Sequence, residues 1–447
     1  MSIISGSMNS RARLIKENNF PPLPDNWDVR RFRFLFRESK ERNGSEPVGD
    51  MLSVSEYHGV IPKKYKHHEC QRTEDELQNY RVVHPGQLAV NTMWLSHLSL
   101  GVSKHLGHVS PAYAVYNISN ELDKRFIHYL LRSQFYLKIY LRYLYGIRPN
   151  SFQIKTDDWN SMPVIIPPKK EQKSIADFLD RETTRIDKLI EKIQTFISVM
   201  TERRQLLIQN ATIHGIDSNV PMKDSCVDWL GMIPAHWDVK RFRYIFSFGR
   251  GLSITKQDLR DEGVPCVSYG EVHSRYGFEV CPSRDNLRCV DTEYLQTSRK
   301  SLLKRGDFVF ADTSEDVEGS GNFTYLSEEK SIFAGYHTVI ARPMLQVSSK
   351  YLAYLFSSQS HRNQIRQNVK GVKVYSITQS ILKDVAVLLP PVNEQVEIVK
   401  KIDSDVKVID ELIALRFLQI NKLKEYKASL ITEAVTGSFS IQKIGIK

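Results

Sequence analysis

The sequence reads VIIPPKKEQ from Val164 to Gln172 and VLLPPVNEQ from Val387 to Gln395. In each copy two prolines stop an apolar extended segment, because neither can donate a backbone hydrogen bond. The second proline, Pro168 or Pro391, suits the first helical position, where a missing N–H costs nothing. Glu171 and Glu394 then fall in the first turn, beside the positive end of the helix dipole. Each stretch opens a run of about forty residues with helical periodicity. Each is also preceded by a large, variable segment, so the chain reads as a tandem repeat of module and helix.

The first run spans Glu171 to His214 and carries Ile175, Leu179, Ile186, Leu189, Ile193, Phe196, Met200 and Leu207 as a heptad-like stripe, with Gly215 placed to cap it. In the second run Ile398, Ile402, Val406, Ile409, Ile413, Phe417, Ile420, Leu423 and Leu430 make a similar stripe that ends at Gly437. Forty helical residues span roughly 60 Å, more than the diameter of a domain of about 150 residues. The stripes are therefore expected to pack on each other as an antiparallel coiled coil. The two module–helix units would be related by an approximate two-fold axis, with the modules at least one DNA turn, about 34 Å, apart.

A second repeat lies upstream of each helix. PDNWDVRRFRFLF, Pro24 to Phe36, recurs as PAHWDVKRFRYIF, Pro234 to Phe246. Its tryptophan is expected as a core anchor, and Arg31, Arg33, Arg241 and Arg243 as an alternating outward face of a strand. Between these anchors both copies are β-rich: Met51 to Val60, Gly86 to Val90 and Val109 to Tyr116 read as strands in the first, and Cys266 to His273, Gly306 to Phe310 and Gly335 to Pro343 in the second. Lys124 to Gly146 reads as a helix rich in aromatics, and FIHYLLRSQ from Phe126 is matched by YLAYLFSSQ from Tyr351. The loops between these anchors diverge, as expected of one scaffold reading two targets.

Of the 447 residues, 41% are hydrophobic and 25% charged, an ordinary globular composition. No apolar run reaches the roughly eighteen residues of a membrane span, and the first residues lack the apolar stretch of a signal peptide. Together these read as cytoplasmic. Five irregularly spaced cysteines argue for reduced thiols. The net charge of +11 points to a polyanion, with nucleic acid first.

Catalytic motifs fare poorly. FGRG, Phe248 to Gly251, lacks the context of a cofactor-binding loop and reads as a turn. Asp312, Glu328 and Lys330 can be forced into a metal-dependent nuclease spacing, but the first module has no equivalent. Cys266, His273, Cys281 and Cys289 lack the paired spacing of a zinc site. Nucleic-acid signals are better placed. Basic and aromatic residues sit in expected loops: Lys63, Lys64, Lys66 and His67, then Asn91, Trp94, Lys104, His105 and Tyr113 in the first module. In the second they are Arg250, Lys256, Arg275, Tyr276, Lys370, Lys373 and Tyr375. Lysine and arginine suit phosphates, and polar or aromatic loop residues suit base edges.

The paired Pro-Pro-x-x-Glu-Gln openings, the WDV-x-R repeats, VSPAY at Val109 to Tyr113 and the loop Asn91 to Gly101 resemble the specificity subunits of type I restriction–modification systems. The likeness runs from Pro24 to Gly437; at His337 to Ala341 the second module has HTVIA in place of VSPAY. The resemblance implies an α/β (α+β) protein of two tandem target-recognition domains separated by two long antiparallel helices. Its segments would be an N-terminal tail or short helix (1–22), the first recognition domain (23–166), a central helix (167–217), the second recognition domain (218–389), a distal helix (390–437) and a tail (438–447). It also implies that each domain reads half of a bipartite site in double-stranded DNA, with the helices fixing the spacer. Two methyltransferase subunits and restriction–translocase subunits would be the partners. S-adenosylmethionine, ATP and Mg2+ would be held by those partners and none by this chain. A stand-alone nuclease or methyltransferase with a duplicated reading region is the alternative, and a coiled-coil scaffold for proteins alone is a third.

Overall fold

The structure, a computed structural model, describes residues 11–18, 20–56, 58–65, 73–145, 153–227, 230–371 and 373–438. It divides into two compact units, Met1–Ile193 with Phe417–Lys447, and Gln194–Arg416. Each unit therefore holds the start of one long helix and the end of the other.

In the first unit, Asp28–Arg31 pairs antiparallel with Pro163–Ile166, so the repeated WDV segment lies against the strand that leads into the long helix. The second unit repeats this with Asp238–Arg241 on Ala386–Leu389. The expected alternating strand ends early. Phe32–Phe34 and Phe242–Tyr244 are 3-10 turns that drop Phe32 and Phe242 into their cores. The first unit then builds two four-stranded sheets. One runs Phe36–Glu38, Ala114–Ile118, Leu88–Val90, Leu100–Val102; the other runs Gly59–Pro62, Asp50–Ser55, Gly107–Val109, Arg81–Val83. The second unit has a five-stranded sheet, Phe246–Arg250, Thr338–Pro343, Phe308–Ala311, Phe323–Leu326, Phe278–Val280. Its three-stranded sheet is Arg288–Val290, Val264–Val267, Phe333–Ala334.

Several sequence expectations need correction. Val109 to Tyr116 is two strands parted by a turn at Ser110–Tyr113, where the Tyr113 N–H returns to the Ser110 carbonyl. Lys124 to Gly146 breaks into Lys124–Leu131 and Gln134–Tyr143, because the Ser133 side chain caps a new helix start. Cys266 to His273 changes from strand to helix at Ser268, whose capping box with Glu271 opens Tyr269–Ser274. FGRG is the end of a strand, with Gly251 too close to the Gly335 backbone for a side chain.

The long helices run Lys169–His214 and Val392–Val435, 46 and 44 residues. Pro168 and Pro391 sit one place earlier than expected: each precedes the helix, and its carbonyl accepts the first i→i+4 bond. Three paired contacts fix each helix start. Glu171 accepts from the Trp27 indole at 2.8 Å and Glu394 from the Trp237 indole at 3.0 Å. Gln172 and Gln395 each donate to the carbonyl of the first proline at 2.8 Å and accept the Asp123 or Ser348 amide. About two turns further, Asp180 takes Tyr129 and Arg125, while Asp403 takes Tyr354 and Lys350. The Glu-Gln pair is thus a clamp that satisfies backbone and indole groups left over at the helix start.

Within the first unit, Ile175, Leu179 and Ile186 bury against Leu430, Ala434 and Val435, and Lys427 pairs with Asp187 at 2.7 Å. Within the second, Ile208 and Ile213 bury with Ile398, Ile402 and Val406, and Arg204 pairs with Asp410 at 2.8 Å. In both units the end of one helix packs on the start of the other, which makes them antiparallel there. Two expected stripe members are off the seam: Leu189 is 41% and Phe417 54% exposed. Ile190 and Arg416 take the inward positions, Arg416 lying over the Phe196 ring at 5.3 Å. A strict alternation of four and three from Ile402 through Val406, Ile409 and Ile413 reaches position 416, not 417.

Candidate nucleic-acid interface

In the first unit the topology sorts the candidate residues into two groups. The Lys63 amide bonds the Met51 carbonyl, and Met51 is paired with His108, beside the loop that carries Lys104 and His105. Lys63, Lys64, Lys104 and His105 are therefore brought together at one end of the second sheet, all exposed, with the Lys63 ammonium 4.9 Å above the Tyr65 ring. Lys66 and His67 lie outside the described residues.

Asn91, Trp94 and Tyr113 collect at the other end. The loop Asn91–Ser99 follows the central strand Leu88–Val90, and the Thr92 hydroxyl reaches the Ala112 carbonyl in the turn that carries Tyr113. Asn91 itself is buried, and its amide oxygen accepts the Met93 amide. That bond holds the loop, so that Trp94 stands 39% exposed with its ring 4.9 Å from His97. Leu98 closes the loop at φ 53, a left-handed conformation that costs a non-glycine residue roughly 1–3 kcal/mol. Tyr113 is half-buried, and burial, then the neighbouring Tyr80, pushes its hydroxyl pKa up. Behind the loop, the Arg132 guanidinium bonds the carbonyls of Ser55, Glu56, Leu98 and Leu100, and burial lowers its pKa to about 10. A cation spent on four carbonyls is a brace for the loop's root.

The second unit builds its counterpart at the equivalent strand ends. Arg250 pairs with Val339, and Ala311 with Thr338, so these termini share one end of the five-stranded sheet. Tyr375 pairs with Ser314 just beyond, and Lys370 bridges to Ser376 on the same hairpin as Lys373. Arg275 and Tyr276 follow the helix Tyr269–Ser274 and precede the strand that starts at Phe278 beside Thr324. Six candidates thus converge. Lys256 sits apart, in the turn Lys256–Asp258. The Tyr276 hydroxyl donates to the Asn286 carbonyl at 2.7 Å, which holds its own loop.

Beside these residues, none of which lines it, lies a cleft of about 760 Å3 walled by Tyr269, His273, Thr313 to Asp316, Glu318, His337 and Val374. His337, at φ 55, meets Asp312 at 3.2 Å, and the Asp312 backbone also pairs with His337 and Ile377. The sequence reading missed this loop, Asp312–Asn322, and His337. A signal was present: GDFVF precedes the loop as GQLAV precedes Asn91–Ser99. Asp312 and Glu328 follow opposite ends of an antiparallel strand pair, on the order of 20 Å apart along the strands. They form no paired-carboxylate site.

In both units the loop after the central strand and the turn before its neighbour make one surface, away from the root of the long helix. The framework repeats in register, and the loops on it differ in sequence and charge. Such a surface can present side chains to base edges; in the second unit the basic groups lie beside it, and in the first they lie at the opposite strand ends.

The profile of the type I restriction modification DNA specificity domain matches residues 234–422. The putative type I restriction enzyme MjaX specificity subunit of Methanocaldococcus jannaschii is 22% identical over 96% of this chain and 98% of its own length. The EcoKI specificity subunit of Escherichia coli is 23% identical over 66% of this chain and 61% of its own. A chain from a study of complex assembly and conformational transition in the type I R–M system shares the fold. Its TM-score is 0.64 at 16% identity, covering 94% of this chain and 100% of that one.

Proposed function

We propose, from the premise that this chain belongs to the specificity subunits of type I restriction–modification systems, that it is the DNA-reading subunit of such a complex. Each unit would read one half of a bipartite site. The observation that carries this reading is the pair of equivalent surfaces, Asn91–Ser99 with Tyr113, and Asp312–Asn322 with His337 and Tyr375, set on strands paired in the same way. Lys63, Lys64, Lys104, His105, Arg250, Arg275, Lys370 and Lys373 would hold phosphates, and Lys256 a phosphate outside the main surface.

We read the chain as non-catalytic and cytoplasmic, with S-adenosylmethionine, ATP and Mg2+ used by partner subunits. Two methyltransferase subunits would dock on the outward apolar residues of the long helices, among them Val408, Leu412 and Leu415 in the second unit and Leu418 and Tyr426 in the first. Restriction–translocase subunits would join that assembly. The recognition domains would end where the Pro-Pro stretches begin, giving 23–166 and 218–389. Selection from random duplex DNA by the purified chain tests the reading. Enrichment of two fixed half-sites with an unread gap is expected; a single uninterrupted motif, or no preference, would contradict it.

A further inference from the structure

The repeated segment Trp27–Phe36 and Trp237–Phe246 keeps two exposed positions that, among the described residues, no internal contact common to both units explains. Trp27, Trp237, Phe32, Phe36, Phe242 and Phe246 are buried, and the aspartate pairs with a basic residue two places on, Arg30 at 3.2 Å or Lys240 at 3.9 Å. Phe34 and Tyr244 are different. They stand 65% and 64% exposed at the same place in both units, each directly after an arginine. Arg33 lies over the Phe34 ring at 5.1 Å. Arg243 pairs with Asp384 of the short helix Gln379–Asp384, but the matching helix of the first unit, Thr156–Ser161, ends in Ser161. The arginine is thus kept where its internal partner is not.

A base-reading residue has no reason to recur in two modules whose reading loops differ, and a bare aromatic ring does not suit a phosphate. Position agrees. The 3-10 turns Phe32–Phe34 and Phe242–Tyr244 lie beside the strands that enter the long helices, at the sheet end opposite the reading loops. An exposed aromatic with an adjoining arginine is the composition of a protein-binding hot spot. We infer that Arg33–Phe34 and Arg243–Tyr244 are twin anchor points for one protein partner bound once per unit. That partner is the methyltransferase subunit, through an apolar pocket rimmed by carboxylates. This rests on the partner reading above and adds where each copy is gripped.

The test uses the co-expressed complex, with Phe34→Ser, Tyr244→Ser and the double variant, read by native mass spectrometry and by titration of methyltransferase subunits onto the chain. Each single variant should weaken one of two binding events by about 30-fold, so that one subunit is retained at a concentration where the parent holds two. The double variant should weaken both. Half-site preference and affinity of the chain alone for DNA should stay unchanged. Two subunits bound by both single variants with affinities within about twofold of the parent would overturn the assignment, as would loss of DNA affinity by the chain alone. A parent chain that binds no methyltransferase subunit would overturn the partner reading and this proposal together, a result distinct from the other two.

Discussion

His361 is fully buried between Phe356, 4.7 Å away, and Phe242, 5.8 Å away, and neither ring nitrogen has a hydrogen-bond partner among the described residues. Burial, then the neighbouring Arg362, pushes its pKa down to about 3; His128 in the first unit is also at about 3, mainly through burial. Both are neutral in the fold, whereas in the unfolded chain they protonate near 6.5. The unfolded state therefore binds protons first as pH falls, and stability is lost from about pH 6.5 downward toward 3. For each imidazole the loss between pH 7 and pH 5 is about 2 kcal/mol. His361→Phe should leave stability at pH 7 within about 1 kcal/mol of the parent or raise it, since it removes an unsatisfied polar ring. It should also reduce the acid loss in the second unit while the first unit keeps its own. Urea midpoints at the two pH values check this; an unchanged pH 5 loss would mean the ring is not the titrating group.

At the scale of elements, the helix starts were the most legible part of the sequence. Pro-Pro-x-x-Glu-Gln and the upstream tryptophan stand far apart in the chain, yet each is a local signal strong enough to read alone, and the structure joins them through Glu171–Trp27 and Glu394–Trp237. Glu394→Ala should therefore cost about 1–3 kcal/mol, because it orphans a buried indole N–H. Glu394→Gln, which keeps an acceptor, should cost markedly less. Equal losses for both in chemical denaturation would make the carboxylate's charge, not the clamp, the stabilising feature. Less was legible where tertiary contacts decide. Val109 to Tyr116 alternates like one strand but is broken by a turn at Ser110–Tyr113, because its two ends pair in different sheets. Leu189 and Phe417 fit a loose helical stripe, and only the partner helix chooses Ile190 and Arg416 instead. The loop Asp312–Asn322 carries no repeated phrase of its own; only the preceding GDFVF, matched by GQLAV, marks its equivalence to Asn91–Ser99, and strand order makes it plain.

At the scale of the molecule, a single uninterrupted helix of 46 residues, about 69 Å long, carries the chain from one unit into the other. A spacer set by this helix should lengthen when the helical pair does. The seam keeps a seven-residue repeat, so seven residues inserted after Thr201 and seven after Ile413 preserve its phase. The added 10 Å or so should widen the unread gap by about three base pairs. An unchanged gap in an active complex would assign the spacing to docked subunits. The account's central claim is that the two units read separately. The most direct measurement is genome-wide mapping of methylated adenines made by the assembled complex after Asn91–Ser99 alone is replaced by a foreign loop. The account predicts that one half-site changes while the other half and the gap stay as they were. A change in both halves, or in neither while the complex still methylates, would contradict it.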